Sequence, residues 1–230
     1  INDLDGIGFA WNPKLMFFRR SLFFAIFQNP LSLFTILKGS IVNIRDVLVI
    51  PKLLKQHFGY NSKVVRFNYF RHHDCHVASA YYASPFDKTA FLTIDGQGES
   101  ESITWGICKN GKIKKLGQGY FPNSIGKIYS VTSKFLGFIG GEKEGTLMAL
   151  AAFGKPKFAD RFMEILKPVC DKRSLCVKVD RRYYNFQNSA GVVLPSIKFR
   201  KTFGVNERKY TDDINITHKD IAASLQKCTE

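Results

Sequence analysis

Cysteine is scarce in this chain, and its spacing lacks the regularity of a disulfide framework. The five cysteines are an odd number spread over 230 residues: Cys75, Cys108, Cys170, Cys176 and Cys228. This pattern argues against a small secreted scaffold that is held together by disulfides. We therefore expect reduced thiols in a cytoplasmic protein.

A long apolar run is also missing from the sequence. The most apolar region, 15–42, is interrupted by Arg19 and Arg20 and by the segment that ends at Pro30. The uncharged stretch inside it, Ser21–Phe27, is far shorter than the roughly 20 residues that span a bilayer. We therefore predict no transmembrane segment, and a helix that packs on the domain instead. The alternative is a peripheral amphipathic helix at a membrane surface.

Acidic residues are few compared with basic ones. The 34 lysines and arginines outnumber the 19 aspartates and glutamates, which gives a formal net charge of +15. This balance favours anionic partners, although the basic residues are spread along the whole chain as on a solvated surface. Hydrophobic residues make up 45 % of the chain, so a substantial core is expected and wholesale disorder is not.

The order of the apolar patterns predicts a mixed α/β fold. We expect short strands at residues 4–10, 63–67, 102–108 and 112–116, and Asn110-Gly111 predicts a hairpin between the last two. The continuous apolar run Thr89–Ile94 predicts a strand that is buried on both faces. Helices are expected at 15–58, 72–83, 124–136 and 160–169, and from Thr217 onwards. The first should be broken at Pro30 and Pro51. The third should be capped by Asn123 or Ser124, and the last by a capping box of Thr217 and Asp220.

Three histidines crowd the start of the predicted helix at 72–83. His72 and His76 are four residues apart, which places their Cβ atoms about 5–6 Å apart on one helical face. Two imidazoles at this spacing can share a divalent metal, and iron, manganese and zinc suit them about equally. A third ligand has to come from elsewhere, and the candidates are Asp95 and a residue beyond Glu230. The alternative is a histidine-rich helix start whose rings bind backbone and solvent.

An acidic, glycine-bearing turn, D-G-Q-G-E, follows the apolar run at 89–94. Gly96 and Gly98 lack Cβ atoms, so the backbone can turn sharply and bring N–H groups close to an anion. Such a turn suits a phosphate or an adenylate, with Asp95 or Glu99 managing a metal, a proton or a hydroxyl. The alternative is a tight turn that binds no ligand.

Several motifs in a common order resemble the O-carbamoyltransferases of the NodU and antibiotic-tailoring type, which include the tobramycin and cephalosporin carbamoyltransferases. The similarity runs with gaps from about Asp3 to Phe158 and resumes at His218 to Gln226. The motifs are H-H-D-C-H-V-A-S-A-Y-Y from His72, L-T-I-D-G-Q-G-E from Leu92, F-P-N-S-I-G-K-I-Y-S from Phe121, and E-G-T-L-M-A-L-A-A-F-G from Glu144.

The resemblance implies the actin, sugar-kinase and heat-shock-ATPase fold, which is ribonuclease H-like and is shared with the transfer-RNA threonylcarbamoyltransferases. Residues 1–169 would form the first subdomain of the carbamoyl-transfer domain, with its N-terminal strands missing. Residues 170–213 would form a connector or an insertion, and residues 214–230 the opening helix of a truncated second subdomain.

The resemblance also implies an activity and its residues. A YrdC-like domain of the same polypeptide makes carbamoyl adenylate from carbamoyl phosphate and ATP, and the transfer domain passes the carbamoyl group to a hydroxyl of a sugar or metabolite. Fe(II) or another divalent metal would be held by His72, His76 and Asp95. On chemical grounds, Asp95 could orient the metal or accept the hydroxyl proton, and His73 could assist that proton transfer. The nucleotide would contact Asp95, Gly96, Gly98, Glu99, Ser124 and Gly126.

Both ends of the sequence look cut, and the family's adenylate-forming domain and later metal carboxylate are absent from it. We therefore expect the fragment to be inactive alone. Two other functions are compatible with the residues: a nucleic-acid-binding module that uses the basic charge, and a metallohydrolase built on histidine and aspartate. We do not expect nucleic acid as a partner, because no basic-aromatic motif of the RNA-recognition kind occurs.

Overall fold

The computed structural model describes residues 3–15, 33–139, 143–170, 175–186 and 193–230. The α-helices within these residues are α1 Pro13–Leu15, α2 Leu33–Phe58, α3 His72–Tyr81, α4 Ile125–Phe135, α5 Glu144–Ala151, α6 Ala159–Ile165, α7 Ile197–Phe203 and α8 Ile216–Thr229. The strands are β1 Gly6–Phe9, β2 Arg66–Tyr69, β3 Lys88–Ile94, β4 Glu101–Lys109, β5 Lys112–Tyr120, β6 Leu166–Cys170, β7 Leu175–Val179, β8 Tyr184–Phe186 and β9 Val193–Pro195.

The predicted mixed α/β architecture is confirmed. Strands β3, β4 and β5 form a sheet in that order, while β1 pairs with β2 in parallel, and β6 with β7 and β8 with β9 in antiparallel. The chain divides into two compact units, one within residues 3–93 and 98–116 and the other within residues 94–97, 117–187 and 193–230. The ribonuclease H-like fold and the three predicted domain ranges stay predictions.

The first unit contains the predicted hairpin. Strands β4 and β5 are joined at Asn110 and Gly111, whose φ angles of 50° and 69° are both left-handed. A two-residue turn of this kind has the twist that the flanking strands require. Helix α3 covers the sheet, since Val77 and Tyr81 form a buried cluster with Cys108 of β4, and Phe91 of β3 packs against it.

Strand β3 forms where it was predicted, but the prediction that both its faces are buried is wrong. Exposed and less exposed residues alternate along it, and Leu92 and Ile94 are 51 % and 53 % exposed. The reason is that α3 packs on one face of this sheet, so the residues on that face are the less exposed ones. The inward residue Phe91 packs against the α3 cluster. Leu92 and Ile94 point to the opposite face, which the described residues do not cover.

Helix α2 runs through Pro51, so the break predicted there is wrong. Proline removes one backbone N–H and costs about 3 kcal/mol inside a helix, but the helix continues beyond it to Phe58. The break at Pro30 and the run Ser21–Phe27 lie outside the described residues. Within the described ranges, no helix combines the length and the apolarity that crossing a membrane requires. A cytoplasmic location stays a prediction.

The second unit is built around helix α4, whose predicted cap is confirmed. The Ser124 hydroxyl accepts a hydrogen bond from the Lys127 N–H, and Gly137, with φ of 80°, follows the last turn. The buried face of α4 contacts an aromatic cluster with ring centroids 4.4–5.5 Å apart. The cluster comprises Phe135, Phe162, Tyr184, Phe199 and Phe203.

Two further boundaries in the second unit differ from the predictions. The helix predicted at 160–169 ends at Ile165, because Leu166–Cys170 pairs with β7 and Pro168 cannot continue a helix. Helix α8 is capped by Asn215 in a capping box with His218, not by Thr217 with Asp220. Asp220 instead accepts a hydrogen bond from the Lys155 N–H at 2.8 Å and forms an ion pair with Lys157 at 2.7 Å.

Candidate functional site

The first unit brings the two histidines of the predicted metal site together at the start of α3. The Nε2 atoms of His72 and His76 lie 3.1 Å apart. Two ligands about 2.1 Å from one cation, at angles of about 90–110°, lie about 3.0–3.4 Å apart. The separation of the two nitrogens therefore fits a pair of ligands to a single ion.

The surroundings of His72 fix which of its ring nitrogens faces His76. Its Nδ1 atom lies 3.1 Å from the Ala10 carbonyl oxygen, which can only accept, so Nδ1 carries the proton. In a neutral imidazole this tautomer leaves the lone pair on Nε2, the atom that faces His76. Histidines that bind metals are oriented in this way, with the second nitrogen donating to a carbonyl or a carboxylate. The Trp11 ring stacks on His72 with centroids 4.3 Å apart and holds its plane.

Glu99 ties the start of α3 to the end of β1. Its carboxylate is 1 % exposed and accepts hydrogen bonds from the backbone N–H of His72 at 3.1 Å and from that of Asn12 at 2.9 Å. Arg71, the N-cap residue of α3, makes no side-chain capping bond, so Glu99 supplies the acceptor from elsewhere in the chain. Burial raises the pKa of Glu99, against the lowering effect of these N–H donors.

His73 points away from the pair and into the first unit. It is 3 % exposed, with Nδ1 2.7 Å from the Thr93 hydroxyl and Nε2 3.2 Å from the Glu101 carbonyl. A Cβ atom at Gly98 would lie 2.7 Å from the His73 ring, so glycine is needed for this packing. Proton transfer by His73 stays a prediction, and its observed contacts anchor α3 on the sheet.

The second unit contains the other predicted residues, in the turn that begins at Asp95. The Asp95 Oδ1 atom accepts from the Gly96 N–H at 2.6 Å, and the Ser124 hydroxyl lies 2.7 Å from the Gly96 carbonyl. A Cβ atom at Gly126 would lie 2.7 Å from the Gly96 nitrogen. The start of α4 therefore packs directly on the turn, and a helix N-terminus is favourable for a phosphate because of its N–H groups and its dipole.

Each of the two units contains part of the predicted set of residues. His72, His73 and His76 lie with Gly98 and Glu99 in the first unit, and Asp95 and Gly96 lie with Ser124 and Gly126 in the second. The use of Asp95 as a third ligand to the histidine pair stays a prediction.

Sequence reasoning missed the residues at the end of β1 that orient His72. Ala10 and Trp11 contact the His72 ring. The Asn12 N–H donates to the Glu99 carboxylate, which also accepts from the His72 N–H. The Asn12–Glu99 contact joins residues 87 positions apart, and local spacing carries no information on such a pair. The available signal was a tryptophan, one of two in the chain, directly after a short strand.

The chain belongs to the carbamoyltransferase family. The family described as carbamoyltransferase N-terminus matches residues 28–230, which include both groups of predicted residues. This finding confirms the resemblance drawn from the sequence motifs.

Relatives at modest identity agree with this family. The chain is 31 % identical over 205 residues to an uncharacterised protein of Synechocystis, covering 88 % of the chain. It is 30 % identical over 183 residues to the nodulation protein NolNO of Sinorhizobium fredii and 28 % over 161 residues to NolO of Bradyrhizobium diazoefficiens, covering 80 % and 69 % of the chain. The matches span 30 %, 25 % and 26 % of these three relatives.

Proposed function

We propose that the protein transfers a carbamoyl group from carbamoyl adenylate to a hydroxyl of a sugar or metabolite, and that this chain is part of its transfer domain. The donor would be made from carbamoyl phosphate and ATP by a YrdC-like domain of the same polypeptide. The observation that carries the proposal is the His72–His76 pair, whose Nε2 atoms lie 3.1 Å apart inside the segment matched by the carbamoyltransferase family.

The proposed reaction is a simple exchange at the carbamoyl carbon. The acceptor hydroxyl oxygen bonds to that carbon, the bond from the carbon to the phosphate oxygen breaks, and AMP leaves. The hydroxyl proton passes to a base, for which we propose the Asp95 carboxylate, with His73 as an assistant. The proposed ribonuclease H-like fold would place this carboxylate at the end of a strand, as β3 does.

The histidine pair fits a divalent cation, for which we propose Fe(II), with Asp95 completing the ligand set. When bound, the cation would stabilise negative charge on the carbonyl or phosphate oxygens. The chain's own contribution is to hold His72 in one tautomer and one plane through Ala10 and Trp11. We propose that the turn at Gly96 and Gly98, with Glu99, Ser124 and Gly126, receives the nucleotide.

Two other functions compatible with the sequence, a nucleic-acid module and a metallohydrolase, have less support. The family assignment favours carbamoyl transfer over both of them. No contact of the described residues favours either alternative specifically.

Transfer of labelled carbamoyl groups tests the proposal. The intact protein would be incubated with ATP, ¹⁴C-carbamoyl phosphate and small hydroxylated metabolites from its source cells. We expect an acid-stable labelled product, and a decrease of about a hundredfold or more in the His72→Ala, His76→Ala double variant, because the metal ligands are lost. His57→Ala, at an exposed histidine of α2, is the matched control. Transfer by the double variant at the rate of the control would contradict the proposal.

A further inference from the structure

A cavity of about 840 Å³ opens in the first unit beside helix α2. This volume lies within the range of about 300–1,000 Å³ that is usual for small-molecule sites. Its walls are mainly apolar, and Ile41 and Leu48 of α2 are 55 % and 53 % exposed there. Ile44 of α2 and Phe67 of β2 also line it. An apolar body of several carbon atoms would cover these side chains.

Two cations stand at this apolar cavity. Lys14 of α1 and Arg45 of α2 line it, and among the described residues no acidic side chain does. Across the ranges that the structure describes, neither cation has an ion-pair partner. Cations from two separate elements beside an apolar wall are complementary to an amphiphilic anion, because the anionic group gains charge pairing while the apolar part gains burial.

The cavity adjoins the residues that hold His72. Asn12 lines the cavity, and its N–H donates to the Glu99 carboxylate that also accepts from the His72 N–H. The neighbouring residue, Trp11, stacks on the His72 ring. A molecule in the cavity would therefore contact Asn12, the residue directly after the tryptophan that stacks on His72.

We propose that this cavity binds the hydroxyl acceptor, and that the acceptor is an amphiphilic anion: an apolar body with a carboxylate, phosphate or sulfate that Lys14 and Arg45 recognise. The identification as the acceptor site rests on the proposed carbamoyl transfer, whereas the binding of an amphiphilic anion does not. The apolar wall selects the body of the acceptor, and the two cations select its charge.

A matched pair of fluorescent probes tests the binding site on the intact protein. 1-Anilinonaphthalene-8-sulfonate carries an apolar body and one anionic group, and N-phenyl-1-naphthylamine has the same body without the sulfonate. Loss of both cations in the Lys14→Gln, Arg45→Gln double variant should weaken sulfonate binding about three- to tenfold and change binding of the neutral probe less than about twofold. Leu48→Asp should weaken both probes, because it places a charge on the apolar wall.

The controls separate this site from other surfaces. Lys88→Gln removes an exposed cation of β3 that does not line the cavity, and it should change neither affinity. Circular dichroism checks that each variant is folded, and Ile41→Asn replaces Leu48→Asp if that variant is not. Equal affinity of the double variant and the wild type for 1-anilinonaphthalene-8-sulfonate would overturn the proposal. Unchanged binding of both probes by the variant at Leu48 or Ile41 would also overturn it.

Kinetics of the same variants distinguish this proposal from the one on which it rests. If the protein transfers carbamoyl groups, the Lys14→Gln, Arg45→Gln variant should raise the KM for an anionic acceptor without changing formation of the adenylate. Probe binding as expected together with no transfer in the wild type would reject carbamoyl transfer and retain the anion site. Transfer with an unchanged acceptor KM would reject this cavity as the acceptor site.

Discussion

At the scale of single residues, a buried carboxylate organises the proposed metal site. Glu99 is 1 % exposed and accepts hydrogen bonds from two backbone N–H groups, at Asn12 and His72. It therefore fixes the first residue of the helix that carries the histidine pair. We assign Glu99 a positioning role in the observed contacts, beside its proposed role at the nucleotide.

The role of Glu99 predicts a large loss of stability on truncation. Glu99→Ala leaves the N–H groups of Asn12 and His72 without their acceptor, at about 1–3 kcal/mol each, so the free energy of unfolding should fall by about 2–6 kcal/mol. Urea denaturation of the intact protein measures this change. Glu164→Ala, at an exposed ion pair of α6, should cost less than about 1 kcal/mol. Equal effects of the two substitutions would contradict the positioning role.

At the scale of elements, helix α4 and the turn at Asp95 pack directly against each other. The Ser124 side chain caps the helix and lies 2.7 Å from the Gly96 carbonyl, and Gly126 leaves no space for a Cβ atom against the Gly96 nitrogen. The position of the turn is thus set by the first residues of the helix.

This packing predicts that a single methyl group at Gly126 disturbs nucleotide binding. Gly126→Ala forces the turn away from α4 at a cost of about 1–3 kcal/mol, so we expect the affinity for a non-hydrolysable ATP analogue to fall about tenfold. Isothermal titration calorimetry on the intact protein measures this affinity. Gly145→Ala is the matched control, because no atom lies within 4 Å of a Cβ atom there. Unchanged affinity in Gly126→Ala would place the nucleotide elsewhere.

The elements show which features the sequence was able to predict. The hairpin at Asn110-Gly111 and the cap at Ser124 are set by neighbouring residues, and both were predicted. Strand β6 and the exposed face of β3 were not, because the pairing with β7 and the packing of α3 on one face of the sheet are contacts between separate elements. Pro168 nevertheless carried a local signal against the longer helix.

The candidate site divides in the same way. The spacing of His72 and His76 predicted that their rings would share a face, and the Nε2 separation of 3.1 Å agrees with it. The contacts of Trp11 with His72 and of Asn12 with Glu99 were not predictable, because they join β1 to segments far along the chain. The spacing of apolar and polar residues indicates the faces of a single helix or strand, and it does not indicate which other segments contact them.

At the scale of the whole molecule, family membership and charge point to different partners. The net charge of +15 favours polyanions in general, whereas the proposed transfer of a carbamoyl group would need a nucleotide-activated donor and a small acceptor. Both requirements are met if the basic surface serves anionic small molecules, as the cations Lys14 and Arg45 suggest. The chain corresponds to 25–30 % of the length of its relatives, so these partners concern the intact protein.

Metal analysis of the intact protein tests the central claim most directly. The protein would be loaded with Fe(II) under anaerobic conditions, desalted and measured by inductively coupled plasma mass spectrometry. We predict that the His72→Ala, His76→Ala double variant retains about one equivalent of iron less than the wild type, while the His57→Ala control retains as much as the wild type. Equal iron in the double variant and the wild type would contradict the assignment of the histidine pair as metal ligands.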